Sequence, residues 1–328
     1  MSKAILIDQP GGPDVLQWRE IDEPEPKAGE VIIRQIAVGL NYIDIYHRSG
    51  LYPLPSYPAT IGVEGAGVIL RVGPNCQLGF REGQRVCYAG GPLGAYSQYR
   101  AYPEEYLAGI PDKLSNELAA GVMVKGLTAY FLVKRTFFVD QHTTMLVHAA
   151  AGGVGLLLCQ WGKLLGATVI GTVGSDEKVE LARQNGCDYP INYNRDDFVA
   201  KIREITGGRG CNVVYDSVGA DTFMRSLDCL MPFGMMVSFG QSSGKVPPVD
   251  LFELQKRGSL LLTRPSLTDF MRDRAEYIVG ATELLHLVNE GRLKINVKQS
   301  YYLKDAKRAH QDLEARKTTG ATIFYTEA

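Results

Sequence analysis

The sequence predicts an α/β protein in which a doubly wound parallel sheet is inserted into a second, irregular β-rich domain. Three observations carry this expectation. Between residues 125 and 267, short apolar runs alternate with amphipathic helical stretches, the pattern of βαβ units. Residues 1–124 are instead rich in glycine and proline and hold short β-type runs, AILI, EVIIRQIAVGL, AGVILRVG and QRVCYAG. After Pro265 the chain reads helix, strand, helix, strand, and a C-terminal strand cannot join a parallel sheet without a further crossover. That strand is expected to return to the first domain, which gives segments of 1–124, 125–267 and 268–328.

The strands expected in the middle segment are TMLVHAA, ATVIGTV, CDYPINY, CNVVYDSV, GMMVSFG and SLLLTRPS, which suit the spatial order 3-2-1-4-5-6. The helices between them are GVGLLLCQWGKLLG, SDEKVELARQNG with Ser175 as its N-cap, DDFVAKIREITGG and ADTFMRSLDCLMP. The first three end at glycines, which accept the left-handed conformation of a helix C-terminus. Beyond them, DFMRDRAEYIVGATELLHLVNEG reads as one long helix, and 297–327 as strand, helix, strand.

Bulk properties exclude some functions. Lys plus Arg total 35 against 36 Asp plus Glu, so nothing in the overall charge attracts nucleic acid or an anionic membrane. No run approaches the ~18 apolar residues of a membrane span. The opening MSKAILIDQPGGP lacks the apolar core of a secretion signal, so the cytoplasm is the expected location. The six cysteines form no CxxC pair, and reduced, buried thiols are expected.

The stretch AAGGVG, residues 150–155, follows an apolar strand, opens a helix and precedes a second strand, the setting of a dinucleotide-binding turn. Ala150 stands where the usual first glycine would be. Gly152 lets the backbone approach a pyrophosphate, Gly155 allows close helix–strand packing, and the N–H groups of Gly153 and Val154 open the helix toward an anion. About twenty residues on, an acid would bind both ribose hydroxyls of NAD and repel a 2′-phosphate. That position is Gly174. Ser175 and Lys178 suit the phosphate instead, so NADPH is the expected cofactor, with Asp176 and Glu177 favouring the helix dipole from its solvent side.

Taken in chain order, VGLNYIDIYHRSGLYP, IGVEGAGVI, KGLTAY, HAAAGGVG, VVYDSVG, MVSFG and LTRPSL resemble the quinone oxidoreductases, the zeta-crystallin-like, zinc-free branch of the medium-chain dehydrogenase/reductase superfamily. The resemblance spans essentially the whole chain. It implies a Rossmann sheet inserted into a GroES-like catalytic domain, with NADPH and its acceptor in the cleft between them. Zinc-dependent relatives place a cysteine near the N-Y-I-D segment and a histidine in a GHE motif. Here the first segment supplies Asn41 and no thiol, the second reads Gly62-Val63-Glu64, and the structural-zinc cysteines are missing, so no metal is expected. Lacking a Lewis acid, the acceptor should be intrinsically electrophilic, a quinone or an activated alkene.

The resemblance also implies site residues. Asn41, Asp44, Tyr46 and Tyr52 match the catalytic segment, the tyrosines suited to stacking on a flat quinone. Asp44 reads equally well as a helix residue paired with His47 or Arg48. His47 is a candidate proton donor or a surface residue, Glu64 a buried supporting carboxylate, and Lys125 a charge in a hinge. For the cofactor the resemblance adds Asn41, Thr128, Tyr130, Tyr193, Ser217, Phe239, Gly240, Thr263, Arg264 and Arg316. His148 reads as a hydrogen-bonded core residue. The 258–267 strand is too apolar for an open edge, so a homodimer is expected there. The rival from another class is a non-catalytic NADPH-binding protein.

Overall fold

The structure, a computed structural model, describes residues 1–327. The chain divides into two compact units, Met1–Leu127 with the chain from Phe270 onward, and Thr128–Asp269. The boundary between the units falls inside the helix Asn116–Phe131, because AAGVMVKGLTAYF is apolar but for Lys125 and Thr128 and holds no proline to end it.

In chain order the first unit holds β1 (Ser2–Ile7), β2 (Gln17–Ile21), β3 (Glu30–Leu40), α1 (Tyr42–Ser49), β4 (Ala59–Thr60), β5 (Glu64–Val72), β6 (Arg85–Ala89), β7 (Tyr99–Pro103), β8 (Leu107–Gly109) and the start of α2 (Asn116–Phe131). The second unit follows with β9 (Thr144–Val147), α3 (Gly153–Leu164), β10 (Thr168–Val173), α4 (Asp176–Gln184), β11 (Tyr189–Asn192), α5 (Phe198–Ile205), β12 (Cys211–Asp216), α6 (Phe223–Leu227), β13 (Leu230–Ser238), α7 (Phe252–Lys256), β14 (Leu261–Thr263) and α8 (Leu267–Phe270). The chain then returns with α9 (Arg274–Asn289), β15 (Val297–Tyr302), α10 (Ala306–Glu314) and β16 (Ala321–Tyr325).

The second unit is the Rossmann sheet expected. Six parallel strands lie in the order β11-β10-β9-β12-β13-β14, which in sequence terms is 3-2-1-4-5-6. Leu146, Ile170, Val214 and Met236 from four adjacent strands pack with Phe198, Ile202 and Phe223 in one core. Gly155 is required there: a Cβ on it would collide with the Ala149 carbonyl and lie 2.9 Å from the Ala150 Cα. A helix starting against its own strand needs that closeness.

The first unit closes around two antiparallel-rich sheets, β2-β1-β4 and β15-β16-β3-β5-β6-β8, with β7 also on β3. The last strand, β16, pairs in parallel with β15 and antiparallel with β3, so the C-terminal segment is part of the first unit's sheet. Ile5, Ile33, Val38, Ile69, Tyr96 and Phe324 meet in its core.

Three elements differ from expectation. The long helix after Pro265 is broken into α8 and α9, because Asp273 accepts the N–H groups of Ala275 and Glu276 at 3.0 and 3.2 Å and starts a new helix. The helix expected over ADTFMRSLDCLMP is only Phe223–Leu227, since Leu230 already pairs with Cys211 across a register shift in which Phe233 takes a φ of 60°. The edge strand is only three residues long, β14. No helix among the described residues is long and apolar enough to cross a membrane.

Candidate active site

The expected catalytic segment, Asn41–Tyr52, lies wholly within the first unit. Asn41 is the N-cap of α1, and the Asp44 carboxylate reaches back to accept its backbone N–H at 2.8 Å, as a third helical residue with an acidic side chain can do. The Asn41 amide is locked. Its Nδ2 donates to Glu64 Oε1 at 2.7 Å, while its Oδ1 accepts from Lys125 Nζ at 2.8 Å. Lys125 also pairs with Glu64 Oε1 at 2.8 Å, and Glu64 Oε2 takes the Val124 N–H at 2.6 Å. Glu64 fills the space that a Cβ on Gly39 would occupy. Deleting either partner of such a buried pair costs about 3–5 kcal/mol.

Asp44 is fully buried, and burial, with Glu64 adding repulsion, pushes its carboxyl up to about 7 against the bonds from Asn41 and Tyr96 and the charge of Lys125. Its Oδ2 also accepts the Tyr96 hydroxyl at 3.1 Å, and its Oδ1 has no partner. The pairing of Asp44 with His47 or Arg48 does not form: Arg48 turns instead to His310 Nδ1 at 3.1 Å and to Glu314 at 2.7 and 3.1 Å. His47 is half-buried with an unpartnered Nδ1, and burial lowers its pKa to about 4. A neutral imidazole at pH 7 is a poor proton donor.

The tyrosines form an aromatic face. Tyr42 and Tyr46, one helical turn apart, have ring centroids 5.9 Å apart, and Tyr46 and Tyr52 are 5.1 Å apart. The Tyr52 N–H bonds the Tyr46 carbonyl at 3.0 Å, holding the turn after α1 to the helix. Arg316 lies in the same unit, where its charge acts on the Tyr42 phenol. No group of three His, Cys, Asp or Glu able to hold a metal ion occurs among the described residues.

The second unit gathers most of the expected cofactor residues at the carboxyl ends of its strands. Gly152 is the N-cap of α3, followed by Gly153 and Val154 in its first turn. Ser175 caps α4, its hydroxyl oxygen accepting the Lys178 N–H at 3.4 Å, while a bond from the same hydroxyl holds the Glu177 carboxyl below its ordinary range. A Cβ at Gly174 would lie 2.6 Å from the Tyr193 hydroxyl. Asp176 is exposed but not simply solvated: Asn192 Nδ2 and Arg195 reach it at 2.9 and 3.3 Å. At the other end, Gly240 packs on the Ser217 backbone, and Asp216 shapes that loop by accepting the N–H groups of Val218 and Gly219 at 2.7 and 3.1 Å.

Thr263 closes β14 against Val237, Phe239 donates its N–H to the Asp216 carbonyl at 2.9 Å, and Arg264 donates to the carbonyls of Ser238 and Gly240 at 2.8 and 3.1 Å. Tyr130 is buried with its ring 5.7 Å from that of Trp161, while Thr128 is half-buried on α2. His148 is the core residue expected, between Thr172 Oγ1 at 2.8 Å and Ser226 Oγ at 2.9 Å. Sequence reasoning missed Lys125 as a partner of Asn41, and Tyr96 and His310 altogether. The first had a signal: a buried acid without its histidine neighbour needs a cation, and Lys125 is the one charge in AAGVMVKGLTAYF.

Both units match known protein families. Residues 27–112 match the alcohol dehydrogenase GroES-like domain, and residues 153–285 the zinc-binding dehydrogenase family. The latter name refers to zinc; the two segments compared with zinc ligands above read N-Y-I-D from Asn41 and Gly62-Val63-Glu64 here. A quinone oxidoreductase of Pseudomonas aeruginosa is 47% identical over 99% of both chains, and quinone oxidoreductase 1 of Escherichia coli 46% over 99% of both. A 2-haloacrylate reductase of Burkholderia is 43% identical over 100% of each chain. The crystal structure of the Escherichia coli quinone oxidoreductase complexed with NADPH superposes with a TM-score of 0.96 at 45% identity, covering 98% of this chain and 99% of that one. With the inserted parallel sheet, the GroES-like unit and these full-length relatives together, the chain belongs to the quinone oxidoreductases of the medium-chain dehydrogenase/reductase superfamily.

Proposed function

We propose that the protein reduces quinones with NADPH in the cytoplasm, without zinc. The observation that carries the cofactor choice is at Gly174, which offers no carboxylate to select NAD and where the exposed Tyr193 phenol lies 2.6 Å from the position of a Cβ. Ser175, Lys178 and Tyr193 then suit the 2′-phosphate, with Arg316 as a further cation of the set. Asp176 opposes them less than its position suggests, because Asn192 and Arg195 already hold its charge. The α3 N-terminus at Gly152, Gly153 and Val154 would hold the pyrophosphate. Thr128, Tyr130, Ser217, Phe239, Gly240, Thr263 and Arg264 would frame the rest, with Arg264 acting mainly by bracing the strand-end carbonyls.

When bound, NADPH supplies the hydride. Asn41, with its amide held by Glu64 and Lys125, keeps one N–H and one lone pair in fixed directions for an acceptor. Tyr46 and Tyr52 offer the stacking surface for a planar acceptor. Asp44 holds the backbone of Asn41 in place. With Asn41 and Val63 at the ligand positions, the polarisation of a zinc enzyme is not supplied, which suits an acceptor that is already electrophilic.

A second acceptor class, activated alkenes, is favoured by the resemblance to the Burkholderia reductase. Steady-state rates of NADPH oxidation with 1,4-benzoquinone, 9,10-phenanthrenequinone and an enone decide between them. Rapid quinone turnover is expected; negligible quinone rates beside fast enone turnover would make alkene reduction the activity. Tight NADPH binding with no oxidation by any acceptor would leave a non-catalytic binding protein. We further propose a homodimer through 258–267, where Leu261 and Leu262 of the open edge are 48% and 39% exposed beside the 74% exposed Phe233.

A further inference from the structure

Helix α1 is gripped on one face by groups that converge on a single histidine from the far end of the chain. His310 of α10 is buried, its Nδ1 3.1 Å from Arg48 and its Nε2 3.0 Å from the Tyr96 hydroxyl. Arginine can only donate, so Nδ1 is the acceptor and, in the neutral ring, Nε2 carries the hydrogen. Nε2–H therefore donates to the Tyr96 oxygen, which leaves the Tyr96 hydrogen for Asp44 Oδ2. The bonds run one way from Arg48 to His310 to Tyr96 to Asp44, and the Asp44 carboxyl also accepts the Asn41 N–H at the start of α1. Burial, and next the Arg48 charge, lower the His310 pKa to about 3, so this tautomer persists across the working pH range.

Both ends of that chain lie on α1. Asp44 and Arg48 are one turn apart and share a face, whereas Tyr46, midway between them, projects roughly half a turn away, where it meets Tyr42 and Tyr52. Arg48 is held in addition by Glu314 and by the Gly11 carbonyl at 3.1 Å. Tyr96 is wedged edge-on between His310 and Phe324, with ring centroids 5.8 and 5.0 Å away. Gripping one face at two points a turn apart fixes the rotation of the helix about its own axis. That rotation sets where the opposite face points.

We propose that His310, acting through Tyr96 and Arg48, is a positioning residue that clamps the rotation of α1 and thereby aims Tyr46 at the acceptor. The proposal rests on the reading of Tyr46 as an acceptor contact. Neither Tyr96 nor His310 touches the acceptor; each works through α1.

The test uses Tyr96→Phe, which removes one hydroxyl, and His310→Leu beside His310→Gln, whose amide retains one acceptor and one donor at similar spacing. Tyr96→Phe and His310→Leu are expected to raise the KM for 1,4-benzoquinone about tenfold with the KM for NADPH unchanged, and His310→Gln to recover most of that loss. In a Tyr46→Leu background the effect of Tyr96→Phe should vanish, since the residue being aimed is gone. Equal losses from Tyr96→Phe in both backgrounds, or a loss that falls on NADPH instead, would overturn the clamp. One readout needs no turnover: in ring-labelled tyrosine NMR spectra, His310→Leu should shift the Tyr46 resonance and His310→Gln leave it near its wild-type position. An unmoved resonance in His310→Leu rejects the clamp whatever the activity, whereas a wild-type enzyme that oxidises no NADPH rejects the proposed reaction and leaves the resonance to decide the clamp.

Discussion

The cluster around Asn41 contains two ion pairs, Glu64 with Lys125 and Arg48 with Glu314, and Asp44 is the carboxyl left without a cation of its own. Its pKa of about 7 follows from burial in that company. The native state therefore keeps a proton that the unfolded chain releases near pH 4, so Asp44 lowers stability progressively as pH rises from about 4 to about 7, and no further above that. Asp44→Asn removes this limb: the stability difference between variant and wild type, from urea unfolding, should shift in favour of the variant across that window and then stay constant. His47, His148 and His310 act in the opposite sense. Burial depresses all three, so the unfolded chain takes up protons below about pH 6.5 that the native state refuses, and stability falls as the solution is acidified. At the cofactor end, Lys178→Ala should weaken NADPH roughly tenfold, equivalent to about 1.4 kcal/mol, while NADH binding changes little. Fluorescence titration checks this, and equal losses for both cofactors would remove Lys178 from the phosphate site.

Elements were legible where one short stretch contains its own reason. The glycine turn, the cap at Ser175 and the strand order of the parallel sheet all rest on residues within about one βαβ unit of each other. The break before α9 was harder, because Asp273 sits in a helical-looking run and only its side-chain bonds to Ala275 and Glu276 show that it starts a helix. The short β14 leaves its apolar edge open in the single chain. Charging that edge with Leu261→Lys and Leu262→Lys should yield a monomer by sedimentation velocity while the pure wild type sediments as a dimer. An unchanged dimer would place the interface elsewhere.

Across the whole molecule, what the sequence could not disclose were the long-range meetings. The residues of Asn41–Tyr52 could be named from the sequence, but Tyr96 and His310, which meet Asp44 and Arg48 of that segment, come from positions with no spacing rule linking them: Tyr96 and His310 are 214 residues apart. Only a folded chain brings them together. The insertion itself was readable, because a lone C-terminal strand had no place in a parallel sheet, and β16 indeed lies between β15 and β3. That placement has a consequence during synthesis. The strand that β3 needs as a neighbour, and the histidine that grips α1, leave the ribosome only after every strand of the parallel sheet has emerged. Nascent chains halted near residue 300 should already yield a protease-resistant core spanning 128–269, with the amino-terminal segment still cleavable; both parts resisting digestion at that length would show that the early segment matures without its late-arriving partner.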